Sequence, residues 1–169
     1  LKNVIHFISE EPTNQANPQA PKPETVKPWL NYRVNLFVDN SNTQGSPVIM
    51  DSNYSYQNLF GKLEYENQYG MLRTDYTMLK SGILHKANGG YIILQAQDLL
   101  TNQICYDTLK KALLVKVLGI ENGMEQRSSL VMISLKPEPI PLNIKVLLLG
   151  NAEIYHTLLS LDPDFKKLF

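Results

Sequence analysis

The sequence predicts an α/β fold, and three observations predict it. Tyr91-Ile-Ile-Leu94 and Ile144-Lys-Val-Leu-Leu-Leu149 are short, almost continuously apolar runs, as in strands covered on both faces of a parallel sheet. Between them Cys105, Leu109, Ala112 and Leu113 recur at helical spacing, behind Thr101 or Asn102, either of which can cap a helix. Asn122-Gly123, flanked by Lys116 to Glu121 and Ser128 to Leu135, marks a β-hairpin with a loop longer than two residues. Strands interleaved with helices argue for a mostly parallel sheet carrying hairpin insertions.

The elements follow in order. Lys2 to Ser9 reads as the tail of a helix, with Val4, Ile5 and Ile8 on one side. From Glu10 to Pro28, Pro12, Pro18, Pro21, Pro23 and Pro28 alternate with polar residues, leaving almost nothing to bury. Proline removes donors and turns its neighbours away from helix, so residues 1–30 are expected to be a linker and residues 31–169 the folded domain. Arg33 to Asn40 alternates Val34, Leu36 and Val38 with Arg33, Asn35 and Phe37, which is strand-like, and Asp39 to Pro47 supplies turn residues. Val48-Ile49-Met50 is a short candidate strand. Residues 62–80 are polar and aromatic without a firm period and read as loops or a hairpin. Pro137, Pro139 and Pro141 stiffen the approach to the second apolar run, and a helix from Glu153 to Leu159 follows it. Lys110-Lys111 and Lys166-Lys167 read as solvated helix faces. No repeat at periods of 20 to 50 residues is visible.

Composition narrows the chemistry. Sixteen basic and sixteen acidic residues leave 169 residues with no net charge, so no overall field points towards nucleic acid or an anionic membrane. Cys105, the single cysteine, excludes an internal disulfide and fits a reducing, cytoplasmic setting. No apolar run approaches the roughly 20 residues that span a bilayer. There is no G-x-x-x-x-G-K-[ST], no G-x-S-x-G and no S-x-x-K, and His6, His85 and His156 are scattered without zinc spacing. His85, lacking a fixed nucleophile or acid partner, is expected to be structural, and Cys105 to be a small apolar residue of a helix face. Tyr54, Tyr56, Phe60 and Tyr65 could stack bases, but no basic groove accompanies them. A start at Leu1 and a stop at Phe169 inside an amphipathic stretch suggest a segment of a longer protein.

A block of motifs says more. Asn58-Leu-Phe-Gly61, Tyr69-Gly-Met-Leu-Arg-Thr74 and Ser81-Gly-Ile-Leu-His-Lys-Ala-Asn-Gly-Gly90, leading into Tyr91-Ile-Ile-Leu94, resemble a run in one branch of AAA+ ATPases. The resemblance is to bacterial Lon-related ATP-dependent proteases and covers about residues 32–169. It implies a partial AAA+, P-loop-like core lacking the Walker A strand and loop and the C-terminal lid. The parent would be a cytoplasmic Ser-Lys endopeptidase whose subunits form a ring, six being the expected number, and whose substrates are unfolded polypeptides. This segment alone would not be catalytic. A non-catalytic scaffold in a degenerate AAA+ regulator is the competing expectation.

The resemblance also assigns positions. Gln95 and Ala96 match the Walker B acidic pair, in which aspartate orients magnesium and glutamate polarises water. A neutral amide and a methyl supply neither, and Asp98 lies too far along to replace them. No cofactor is therefore expected in this segment, and the losses argue against use of ATP and magnesium by the parent. Asn151 matches the sensor-1 residue that reads the γ-phosphate, although an Asn ending a strand in a turn is common. Asp162 stands where an arginine finger would be wanted. Tyr69, Gly70, Met71 and Leu72 match the pore loop that grips polypeptide; packing of Tyr69 and Leu72 on their own domain is the alternative.

Overall fold

The computed structural model describes residues 32–68, 71–120 and 135–169. The chain divides into two units, Leu1–Asn35 and Leu36–Phe169. Of the first, residues 32–35 are described and carry no strand. The expected helix tail at Lys2 to Ser9, the linker over 1–30 and the Asn122-Gly123 turn lie outside the described residues.

In the second unit β1 (Val48–Met50) and α1 (Tyr56–Phe60) lead into four short strands: β2 (Lys62–Leu63), β3 (Glu66–Gln68), β4 (Met71–Arg73) and β5 (Leu79–Lys80). Next come α2 (Ile83–Lys86), β6 (Tyr91–Gln95), α3 (Ala96–Thr101) and α4 (Gln103–Val115). The chain then forms β7 (Val117–Leu118), β8 (Ile140–Pro141), β9 (Lys145–Leu149), α5 (Ala152–Leu161) and α6 (Phe165–Leu168). Both apolar runs are strands of one parallel sheet, in the order β1-β6-β9. The fold class expected from the sequence is the one observed.

Side chains with a polar oxygen set several boundaries. Ser55 accepts from the Asn58 N–H to start α1, Asn102 from the Cys105 N–H to start α4, and Asn151 from the Ile154 N–H to start α5. Residues 62–80 fold into a hairpin of two antiparallel pairs, β2 with β5 and β3 with β4. At the entry to β6 the backbones approach too closely for a side chain. A Cβ on Gly90 would lie 2.0 Å from the Pro47 carbonyl oxygen, which instead accepts the Tyr91 N–H at 2.8 Å. Asn88 ties the loops before β6 and β9, donating to the Pro141 carbonyl and accepting from the Asn143 N–H.

The core lies on one face of the sheet. Ile92 and Leu94 are fully buried there with Leu59, Phe60, Leu84, Leu99, Cys105 and Leu109. Cys105 is thus the small apolar helix residue that was expected.

Three expectations need correction. The sheet is not covered on both faces by the described residues: Val48, Met50 and Leu147 on the second face are 64%, 63% and 47% exposed. Residues 33–40 form no strand, because alternation supplies a pattern but no neighbouring strand pairs with it among the described residues. Lys110 is not solvated, since its side chain is only 19% exposed and ion-paired to Asp162. In addition, Val117–Leu118 pairs with Ile140–Pro141, so β7 finds its partner beyond the segment that follows Asn122-Gly123.

Candidate functional site

Open α/β sheets bind ligands along the edge where parallel strands end. Here that edge consists of Met50-Asp51 at the end of β1, Gln95-Ala96 at the end of β6, and Gly150-Asn151 after β9. The register sets Gln95 opposite Leu149, so Ala96 and Gly150 follow side by side. A Cβ on Gly150 would come within 3.3 Å of the Ala96 Cβ, so the glycine leaves room for the Ala96 methyl beside it.

The sheet therefore brings Gln95, Ala96 and Asn151 together, as their matched positions require. Their side chains face differently. Gln95 is exposed, and its backbone N–H donates to Tyr54 Oη at 2.8 Å. Ala96 is 3% exposed, its methyl turned inward against Gly150. Asn151 is exposed, with Oδ1 accepting the Ile154 N–H at 2.9 Å, so its amide oxygen is occupied in capping α5. Asp98 is exposed in the first turn of α3.

Asp51, which sequence reasoning did not single out, closes onto its own turn. Its carboxylate accepts from the Asn53 N–H at 2.8 Å and from Asn58 Nδ2 at 3.3 Å. The Asn53 hydrogen bond holds its carboxyl below the usual range. Among the described residues no three His, Cys, Asp or Glu side chains gather into a possible metal site. A magnesium-bound triphosphate needs an anionic oxygen at the end of the central strand. The neutral amide of Gln95 and the buried methyl of Ala96 do not fit that group.

Asp162 sits at the opposite end of α5 and away from solvent. Its Oδ2 accepts from Tyr106 Oη at 2.7 Å and Lys110 Nζ at 2.8 Å, and its Oδ1 from the Asp164 N–H at 3.0 Å. Burial works to raise its pKa, but the bonds from Lys110 and Tyr106 outweigh burial and hold the carboxyl low. Burial together with the Asp162 carboxylate pushes the Tyr106 hydroxyl well up. The sequence signal for this cluster was the i,i+4 spacing of Tyr106 and Lys110 on one helix face.

His85 is structural, as expected. It is 6% exposed, accepts the Gly82 N–H at Nδ1, and meets the Phe37 ring edge-on at 4.8 Å. Burial drives its pKa down to about 4, so the ring is neutral.

In the hairpin, Gln68 of β3 pairs with Met71 of β4, and Tyr69 and Gly70, which join them in sequence, lie outside the described residues. Leu72 is half-buried and lines an open depression of about 520 Å³ with Leu63, Tyr65 and Met78. Leu72 therefore packs partly on its own hairpin. The Tyr65 hydroxyl is buried without a hydrogen-bond partner among the described residues.

A parallel α/β sheet with polar residues gathered at its carboxyl edge defines a P-loop-like core of partial extent. Residues 44–169 match the family described as LonB-like, AAA domain, and the chain belongs to that family. It is thus an AAA module of a Lon-like protein. No curated protein matches it.

Proposed function

We propose that this module handles polypeptide substrates within a ring-forming, cytoplasmic Lon-like protease, and that its own nucleotide edge does not hydrolyse ATP. The observation that carries the second half is the end of β6. Gln95 offers an amide where magnesium needs an anion, and Ala96 buries a methyl where a base would have to face water. Asp162, at the arginine-finger position, offers no cation to a phosphate, because its carboxylate is turned inward onto Tyr106 and Lys110. Asn151 keeps a polar side chain at the sensor-1 position.

Handling of polypeptide falls to the hairpin β3–β4, which carries Tyr69, Gly70, Met71 and Leu72. An aromatic and two apolar side chains beside a glycine suit contact with unfolded chain regardless of its sequence. Peptide cleavage belongs to a Ser-Lys protease domain elsewhere in the parent, and subunits assemble as a ring, expected to be a hexamer. The balanced charge supports polypeptide over nucleic acid as the partner, and no helix among the described residues is long and apolar enough to cross a membrane.

The test uses the full-length protein. Calorimetric titration with ATP, ADP and magnesium, paired with phosphate release, should show no turnover. Degradation of an unfolded substrate should proceed without ATP and weaken in Tyr69→Ala and Leu72→Ala. ATP-dependent degradation of a folded substrate would refute the proposal.

A further inference from the structure

Asp162 was matched to a position that faces a neighbour's phosphate, yet its side chain is filled from within. Both oxygens accept hydrogen bonds, its charge is met by Lys110, and the carboxylate is 10% exposed. Tyr106 is 6% exposed, and Lys110 Nζ also lies 4.7 Å over the Tyr106 ring and 3.5 Å from Asp107. Charge-assisted bonds of this length and burial hold their partners in one geometry.

What the cluster holds follows from connectivity. Tyr106 and Lys110 belong to α4, which follows α3 through the Asn102 cap, and α3 begins at Ala96. Asp162 ends α5, whose other end is capped by Asn151 and preceded by Gly150, which packs on Ala96. The contacts therefore close a circuit that runs from Ala96 through α3, α4, Asp162 and α5 back to Gly150. Without the Asp162 tie, α5 would be joined to this circuit through Gly150 and the apolar contacts of Leu158 and Ile154.

We infer that Asp162, Tyr106 and Lys110 are positioning residues: they anchor α5 against α4 and so hold Asn151 in register with the end of β6. The anchor stands on the distances above. Its bearing on a ligand edge rests on the proposed reading of Asn151.

Amide hydrogen exchange on the full chain tests the anchor. In Asp162→Asn and in Tyr106→Phe, exchange of His156 to Leu159 should rise on the order of tenfold, while α1 and the β2–β5 pair keep wild-type rates. The double variant should show little more than the larger single effect, since both remove one tie. Unchanged exchange in α5, or an equal rise in every element, would overturn the inference. Should Asp162→Asn not fold, Tyr106→Phe, which removes one hydroxyl, carries the same comparison. Failure of the nucleotide-edge reading appears elsewhere, as magnesium-dependent phosphate release with the exchange pattern intact.

Discussion

Putting a glutamate back at position 96 should unfold much of what it is meant to repair. Ala96 is 3% exposed and its methyl faces Gly150, where a Cβ would already sit at 3.3 Å. A glutamate there must either bury an unpaired carboxylate or take up a proton. Protonation is the cheaper route, and from an ordinary pKa of about 4.3 it costs roughly 4 kcal/mol at pH 7. Forcing a methylene and a carboxyl group into a packed contact adds about 1–3 kcal/mol. The total, roughly 5–7 kcal/mol, is comparable to the whole stability of a small domain. The glutamate's pKa is raised in the fold, so the folded state binds the extra proton and the penalty grows as pH rises above about 4.3.

Urea unfolding of Ala96→Glu and wild type at pH 7 and pH 4.5 reads this directly. At a slope of about 2 kcal/mol per molar, the midpoint should fall by roughly 2.5 M or more at pH 7, and by much less at pH 4.5. Gln95→Asp, at an exposed position, should stay within about 0.5 kcal/mol of wild type at both. If Ala96→Glu were as stable as wild type at pH 7, position 96 would open to water and the argument against a base there would fail.

Three further outcomes follow from the same geometry. His85 titrates near 6.5 when unfolded and at about 4 in the fold. Between those values the unfolded chain binds more protons, so stability should fall by roughly 3 kcal/mol as pH drops through this window, and His85→Asn should flatten that step in denaturant midpoints. Tyr54→Phe strips the Gln95 N–H of its acceptor in a residue 7% exposed, and should cost about 1–3 kcal/mol by chemical denaturation. Gly90→Ala drives a methyl into the Pro47 carbonyl and must part β1 from β6. It should cost at least about 2 kcal/mol, with faster amide exchange at Tyr91 than at Leu147.

The apolar strands and the capped helices were legible because their signals are local. A continuous run such as Tyr91-Ile-Ile-Leu94 or a cap such as Asn102 carries its own instruction. The second face of the sheet was not legible, because coverage depends on which elements pack there. The alternation in Arg33 to Asn40 failed for the same reason: it describes a surface without naming a partner. The short helix α2 escaped notice because four residues offer no period. At the candidate site, the meeting of Gln95, Ala96 and Asn151 could be inferred from the family resemblance, but not the inward turn of Ala96. The partners of Asp162 lie 52 and 56 residues away, beyond any local pattern, and so did not appear until the helices were packed.

The two departures at the end of β6 differ in what they imply about chemistry. Gln95 points outward, and its place in the fold depends on a backbone N–H held by Tyr54, which any side chain at 95 would leave intact. An aspartate there would restore an anion at the strand end at little cost. Ala96 faces the other way, and Gly150 leaves room for its methyl and little more. A base at 96 would need Gly150 and the start of α5 to move away, against the tie of Asp162, at the far end of α5, to Tyr106 and Lys110 of α4. A metal-binding charge is therefore one surface substitution away, whereas a water-activating base is excluded by packing. Gln95→Asp should accordingly gain magnesium affinity in a titration without gaining phosphate release, and turnover from that single change would show that the base resides elsewhere.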